Sequence, residues 1–211
     1  MKLPFTIDQF LQMFEKYNLA VWPMQLVLNL LALLAIAAVI RKQKYSDRLI
    51  SAILAFLWLW SGIVYHWMHF AEINRAAYGF GTLFMIQGLL FVISGVVRPK
   101  LSYRYRTDLC GMSGSLFISY ALVVYPIMGY FLGPQYPQTP TFGLPCPMTI
   151  FTFGFLLWTE KIIPKYVLII PILWSIIGFG AALSLGMVED FGLLISGLVG
   201  FVLIVYRDRK K

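Results

Sequence analysis

The chain has 211 residues, 60% hydrophobic and only 12% charged, with a formal net charge of +8 and a mean hydropathy of +0.78. A soluble domain is about 45–50% apolar and about 25% charged, so the composition excludes an ordinary water-soluble fold. The excess of positive charge does not point to nucleic acid, because the basic residues sit in short clusters between apolar runs rather than on one face.

The pattern predicts an all-α, polytopic membrane bundle of seven transmembrane helices preceded by an amphipathic interfacial helix, within a single membrane domain over 1–211. The first twenty residues carry Lys2, Asp8, Glu15 and Lys16 and no continuous apolar core, so they do not read as a signal peptide. Met1-Lys2 does not fit a myristoylation pattern, and the C-terminus carries no prenylation cysteine. Thr6 and Gln9 have the spacing of a capping box, and Ile7, Phe10, Leu11, Phe14 and Tyr17 then recur at helical spacing. A helix over 6–18 is expected to lie along the membrane surface.

Apolar runs follow at about 21–40, 49–68, 77–97, 109–132, 146–158, 166–185 and 190–206. Crossing a hydrocarbon core of about 30 Å takes about 20 helical residues. Six runs approach that length, and the fifth is too short to cross alone. Of the 17 Lys and Arg residues, 14 lie in alternate connections or at the C-terminus: Arg41, Lys42, Lys44 and Arg48; Arg98, Lys100, Arg104 and Arg106; Lys161 and Lys165; Arg207, Arg209, Lys210 and Lys211. Only Lys2, Lys16 and Arg75 remain on the other side, beside Asp8, Glu15, Glu72, Glu189 and Asp190. The positive-inside rule then places the N-terminus outside and the C-terminus in the cytoplasm. Two rows of small residues, Gly111, Ser115 and Ser119 and Gly192, Ser196 and Gly200, suit close helix packing, within the chain or in an oligomer.

Chemistry is expected at the outer face. The segment 133–147 holds five prolines, two glycines and no charge. Irregular backbone is tolerated at membrane depth only inside protein or beside a wet cavity. Either the bilayer thins around the fifth helix, or Thr141 to Pro145 descends into the protein. Cys146 lies in this segment and Cys110 at the cytoplasmic start of the fourth run, so no disulfide is expected between them. His66, His69 and Glu72 share one helix face, and with Cys146 they form a candidate nitrogen, oxygen and sulfur ligand set for copper or zinc. A small packing role for Cys146, and interfacial positions bonded to loop backbone for the histidines, explain the same residues without a metal. Few polar residues are expected deep in the runs; Gln25, Asn29, Gln87, Tyr125 and Ser175 are the candidates, and none carries a charge, which argues against a proton-driven pump. No nucleotide, hydrolase or metalloprotease motif occurs, so the reading leans away from an enzyme.

Three segments carry a family resemblance: Tyr17-Asn18-Leu19-Ala20-Val21-Trp22-Pro23-Met24-Gln25; Tyr65-His66 with Phe70-Ala71-Glu72-Ile73-Asn74; and Thr141-Phe142-Gly143-Leu144-Pro145-Cys146-Pro147-Met148-Thr149-Ile150-Phe151-Thr152. They resemble a bacterial family of small multi-span membrane proteins of unknown function, some of whose members are loosely labelled permeases. The resemblance implies an inner-membrane protein and a composite periplasmic site made from these segments. His69 lies outside the family pattern. Three functions are open: a permease-like protein admitting a small solute or metal ion, a membrane-embedded metal-binding or redox protein, and a non-catalytic assembly or sensory partner. For the first, Tyr17, Asn18, Trp22, His66, Asn74, Thr141, Pro145, Cys146 and Pro147 are expected to line an outward vestibule.

Overall fold

A computed structural model describes residues 4–210, so the topology charges Lys2 and Lys211 lie outside the described residues. The described residues form eight helices and no strand: α1 (Ile7–Ala20), α2 (Met24–Arg41), α3 (Ser46–Glu72), α4 (Ala77–Val97), α5 (Leu109–Leu132), α6 (Pro145–Leu157), α7 (Tyr166–Leu185) and α8 (Phe191–Arg209). A single turn, Val188–Asp190, leads into α8. Three helices contain wider π-helical stretches, at Ser61–His69 in α3, Val92–Val97 in α4 and Tyr120–Val124 in α5.

Six of the seven apolar runs become helices long and apolar enough to cross a membrane, and the fifth does not. That fifth run is α6, only 13 residues long, and its surroundings explain its length. All of it except Cys146 is buried, and it packs against α3, α5, α7 and α8. A helix with no lipid-facing side need not match the bilayer. The other helices turn Leu30, Leu116, Phe131 and many other large apolar side chains outward, as a lipid-exposed surface requires.

Small residues set the closest approach to α6. A Cβ on Gly154 would lie 2.5 Å from Ile118 and 2.9 Å from the Gly114 carbonyl, so α5 and α6 meet backbone to backbone. Of the expected small-residue rows, Gly192, Ser196 and Gly200 are used inside the chain: Gly192 faces Tyr120, Gly200 faces Phe153 and Ser196 is fully buried. In the other row Gly111 is buried and Ser119 is exposed.

The end of the bundle rich in Lys and Arg is closed by side chains that satisfy the last carbonyls of α6. Arg207 Nη1 donates to the carbonyls of Leu156, Leu157 and Thr159 at 3.3, 3.2 and 3.0 Å. Trp158 Nε1 donates to the Gly111 carbonyl at 3.0 Å, and Arg106 Nη1 reaches the Thr159 carbonyl at 3.3 Å. The connection between α4 and α5 crosses beneath this cap. Lys42 Nζ donates to Asp47 at 2.8 Å and to the Tyr103 carbonyl at 2.6 Å, and Asp47 accepts from the Tyr103 N–H at 2.8 Å. Asp108 caps α5 by accepting from the Gly111 N–H at 3.0 Å and pairs with Arg106.

Two outcomes follow. Gly154→Leu forces a side chain into the α5–α6 contact and is expected to cost about 1–3 kcal/mol, read as a lower melting temperature of the purified protein. Gly180→Ala, with nothing within 4 Å of the added methyl, is expected to be neutral or slightly stabilising. The modest burial of Asp108 would raise its carboxyl pKa, but the bonds from Arg106 and the Gly111 N–H outweigh that and hold it below the usual carboxylate value. A depressed native pKa gives stability that is present above the unfolded value and lost as pH falls through the native one. Melting temperature should therefore drop on acidification below the ordinary carboxylate range, and Asp108→Asn, which keeps the cap, should flatten that dependence.

Candidate functional site

At the opposite end, α1 folds its apolar face onto the end of α3. The capping box forms as expected, with the Thr6 N–H donating to Gln9 Oε1 at 2.9 Å and the Gln9 N–H donating to Thr6 Oγ1 at 3.3 Å. Phe10, Met13, Phe14 and Tyr17 are buried in a cluster with Tyr65, Phe70 and Leu144. The apolar face of this helix thus packs on protein, where the sequence pattern alone suggested lipid. The Tyr17 ring meets Tyr65 and His69 edge-on at 5.6 and 5.3 Å, and its hydroxyl accepts from Trp60 Nε1 at 3.1 Å. Burial pushes the Tyr17 hydroxyl up to about 12, the Trp60 bond acting against it, so it is neutral at all physiological pH values.

Asn18 ties α1 to the proline-rich segment. Its Nδ2 donates to the carbonyls of Pro137 and Thr139 at 2.7 and 2.9 Å, and its Oδ1 accepts from Thr141 Oγ1 at 2.9 Å. Its own carbonyl accepts from Gln25 Nε2 at 2.8 Å. Gln138 Nε2 donates to Glu15 at 2.8 Å alongside. Beyond this staple the chain enters the protein as irregular backbone. Phe142 and Leu144 are buried, and Phe142 packs on Phe151 of α6 at 5.3 Å. Gly143 adopts φ +104°, and a Cβ there would lie 2.3 Å from Leu28, so both conformation and space call for glycine.

Between α1, this segment and the ends of α3, α5 and α7 lies a cavity of about 330 Å³. Its walls are apolar, with Phe5, Phe10, Phe14, Phe70, Phe80 and Ile177 among them. Besides Tyr65 and Asn74, its polar lining residues are Tyr125, Cys146, Trp174 and Asp190. Tyr125 donates its hydroxyl to Asp190 Oδ1 at 2.6 Å, and the Cys146 thiol lies against the same carboxylate. The Trp174 indole N–H faces the Cys146 sulfur and closes no hydrogen bond of ordinary geometry. Asp190 is 4% exposed, and no Lys or Arg lines the cavity among the described residues.

His66 stands behind this wall. It is fully buried, with ring contacts to Phe84 at 4.7 Å, Tyr65 at 5.0 Å and Trp174 at 5.2 Å. Neither ring nitrogen has a hydrogen-bond partner among the described residues.

The expected ligand set is dispersed among other partners. His69 Nδ1 pairs with the Val64 carbonyl at 2.8 Å, and Glu72 accepts from Lys16 Nζ at 2.6 Å on the exposed side of α1. Among the described residues, no three His, Cys, Asp or Glu side chains stand together as a metal cage. Cys110 and Cys146 are both free thiols.

Of the expected vestibule residues, Asn74, Pro145 and Cys146 line the cavity; Tyr17, Asn18 and Thr141 support its walls. Trp22 points outward, 59% exposed, and Pro147 is buried inside α6. Sequence reasoning missed Asp190 and Trp174. Asp190 reads as a loop charge beside Glu189, yet both are buried. The available signal was position, since an acid immediately before an apolar helix is an N-terminal residue of that helix and can be drawn inward with it.

Neither a curated protein nor a solved structure is detectably similar to this chain. Residues 7–211 match a family of unknown function, DUF6064, which covers every element of the cavity from α1 to α8. The chain belongs to that family.

Proposed function

We propose that this protein is a permease-like integral membrane protein that binds a small, mainly apolar solute on the outer side of a bacterial inner membrane. The observation that carries the reading is the cavity of about 330 Å³ whose apolar walls end in a buried carboxylate. Small-molecule sites are concave, mainly apolar and given direction by a few placed polar groups, with volumes of about 300–1,000 Å³. Asp190, Tyr125, Cys146 and Trp174 are such groups, and they stand together.

The charge distribution supports an outward-facing cavity, since α1 and the proline-rich segment lie opposite the Lys- and Arg-rich connections. Beyond the cavity the densely packed α6 blocks a straight path, so passage requires the helices around it to shift. The π-helical stretches of α3, α4 and α5 supply backbone that can change its hydrogen-bond register during such a shift.

The test is uptake of a panel of small radiolabelled solutes into proteoliposomes, together with solute-induced changes in melting temperature. Ala181 lines the cavity, and Ala181→Phe is expected to fill it, leaving the protein folded while reducing both responses at least tenfold. Flux no greater than that of empty vesicles across the panel, with no change in melting temperature, would count against the reading.

A further inference from the structure

We propose that the solute is an organic cation, an amine or quaternary ammonium with an apolar body, whose head group sits at the Asp190 carboxylate. The inference rests on the solute-site reading above and adds the chemical class of the ligand.

Asp190 is the reason. Charged side chains inside an apolar bundle are rare, costly, and commonly paired with a counter-charge or part of a ligand path. Among the described residues, the carboxylate contacts only neutral donors, the Tyr125 hydroxyl and the Cys146 thiol. Glu189, the neighbouring acid, is buried as well, and its backbone carbonyl accepts from the Tyr120 hydroxyl at 2.7 Å. The N-terminal ends of α6 and α8 bring partial positive charge to this region. Pro145 and Pro147 leave the Cys146 N–H as the sole backbone donor among the first three positions of α6. Asp190 makes no side-chain bond to the first turn of α8.

The walls point to the same class. Tyr65, Phe70, Phe80 and Trp174 line the same cavity, and aromatic rings attract cations at their negative π-surfaces, tryptophan most strongly. Aromatic rings with one carboxylate recognise ammonium groups, and no Lys or Arg lines the cavity among the described residues to hold an anion.

The test uses three probes of matched size on purified protein in nanodiscs: phenethylammonium, its neutral isostere phenethyl alcohol, and the anion phenylpropionate. Binding is measured by calorimetry and by change in melting temperature. The expected result is at least tenfold tighter binding of the ammonium than of the alcohol and no binding of the anion. Asp190→Asn should remove that preference while leaving the alcohol's affinity within about threefold, and Trp174→Leu should weaken the ammonium more than the alcohol. Alcohol bound as tightly as ammonium, or a preference that survives Asp190→Asn, overturns the cation assignment. The solute site itself then stands, provided Ala181→Phe abolishes the alcohol's binding. Absence of binding by all three overturns the cation assignment, and the wider solute panel then decides the site alone. Should Asp190→Asn fail to fold, the ammonium-to-alcohol ratio of the wild-type protein decides.

Discussion

The fold depends on how the two ends of one buried helix are satisfied away from water. An α-helix leaves its last carbonyls and first N–H groups without partners, and inside an apolar bundle each of these is costly. At the C-terminal end of α6 a single guanidinium takes three carbonyls, and Trp158 and Arg106 tie that end to α5 and its approach. Arginine suits the place because its donors are several, planar and permanently charged. At the N-terminal end the problem is reduced by composition, since proline at two of the first three positions removes two of the N–H groups that would need partners. One end of α6 is therefore closed by polar bonds, and the other borders an apolar cavity.

The six long helices were legible from the apolar runs because length and hydropathy alone specify them. The shortness of the fifth run was legible too, and so was the descent of Thr141 to Pro145 as one of two alternatives. Its central position was not, because a helix surrounded by protein and one facing lipid are equally apolar, and only the neighbours distinguish them. The N-terminal helix shows the same ambiguity at its surface. Its capping box and spacing define where it starts and which face is apolar, yet an apolar face suits lipid and aromatic side chains alike. Phe10, Phe14 and Tyr17 settle on Tyr65 and Phe70 because those rings offer a closer-packed partner.

The site was half legible. The segments around Asn18, Asn74 and Cys146 do meet at one end of the bundle, joined by Asn18 bonds across more than one hundred residues of sequence. Helical spacing placed His66, His69 and Glu72 on one face, but that argument assumes 3.6 residues per turn. Between Ser61 and His69 the helix is wider than that, so the spacing rule fails where it was applied. His66 turns into the aromatic core, while His69 and Glu72 find partners on and around α1. Asp190 was hidden for a different reason. Charge counting treats acids between apolar runs as solvated, and the tight turn before α8 carries this one inside.

The wider turn in α3 has a consequence for how the two halves of that helix are related. Upstream, Ile50, Leu54, Leu57 and Trp58 belong to the central core around α6; downstream, Tyr65 and Phe70 belong to the aromatic cluster under α1. A regular α-helix keeps one stripe in phase along its length, whereas each extra residue inserted rotates everything beyond it by about 100° relative to that stripe. One continuous helix thereby serves two differently oriented cores. The gain or loss of one residue within Ser61–His69 would re-aim the distal half without disturbing the proximal one, so this short stretch acts as the joint at which the bundle and the cavity wall are set independently.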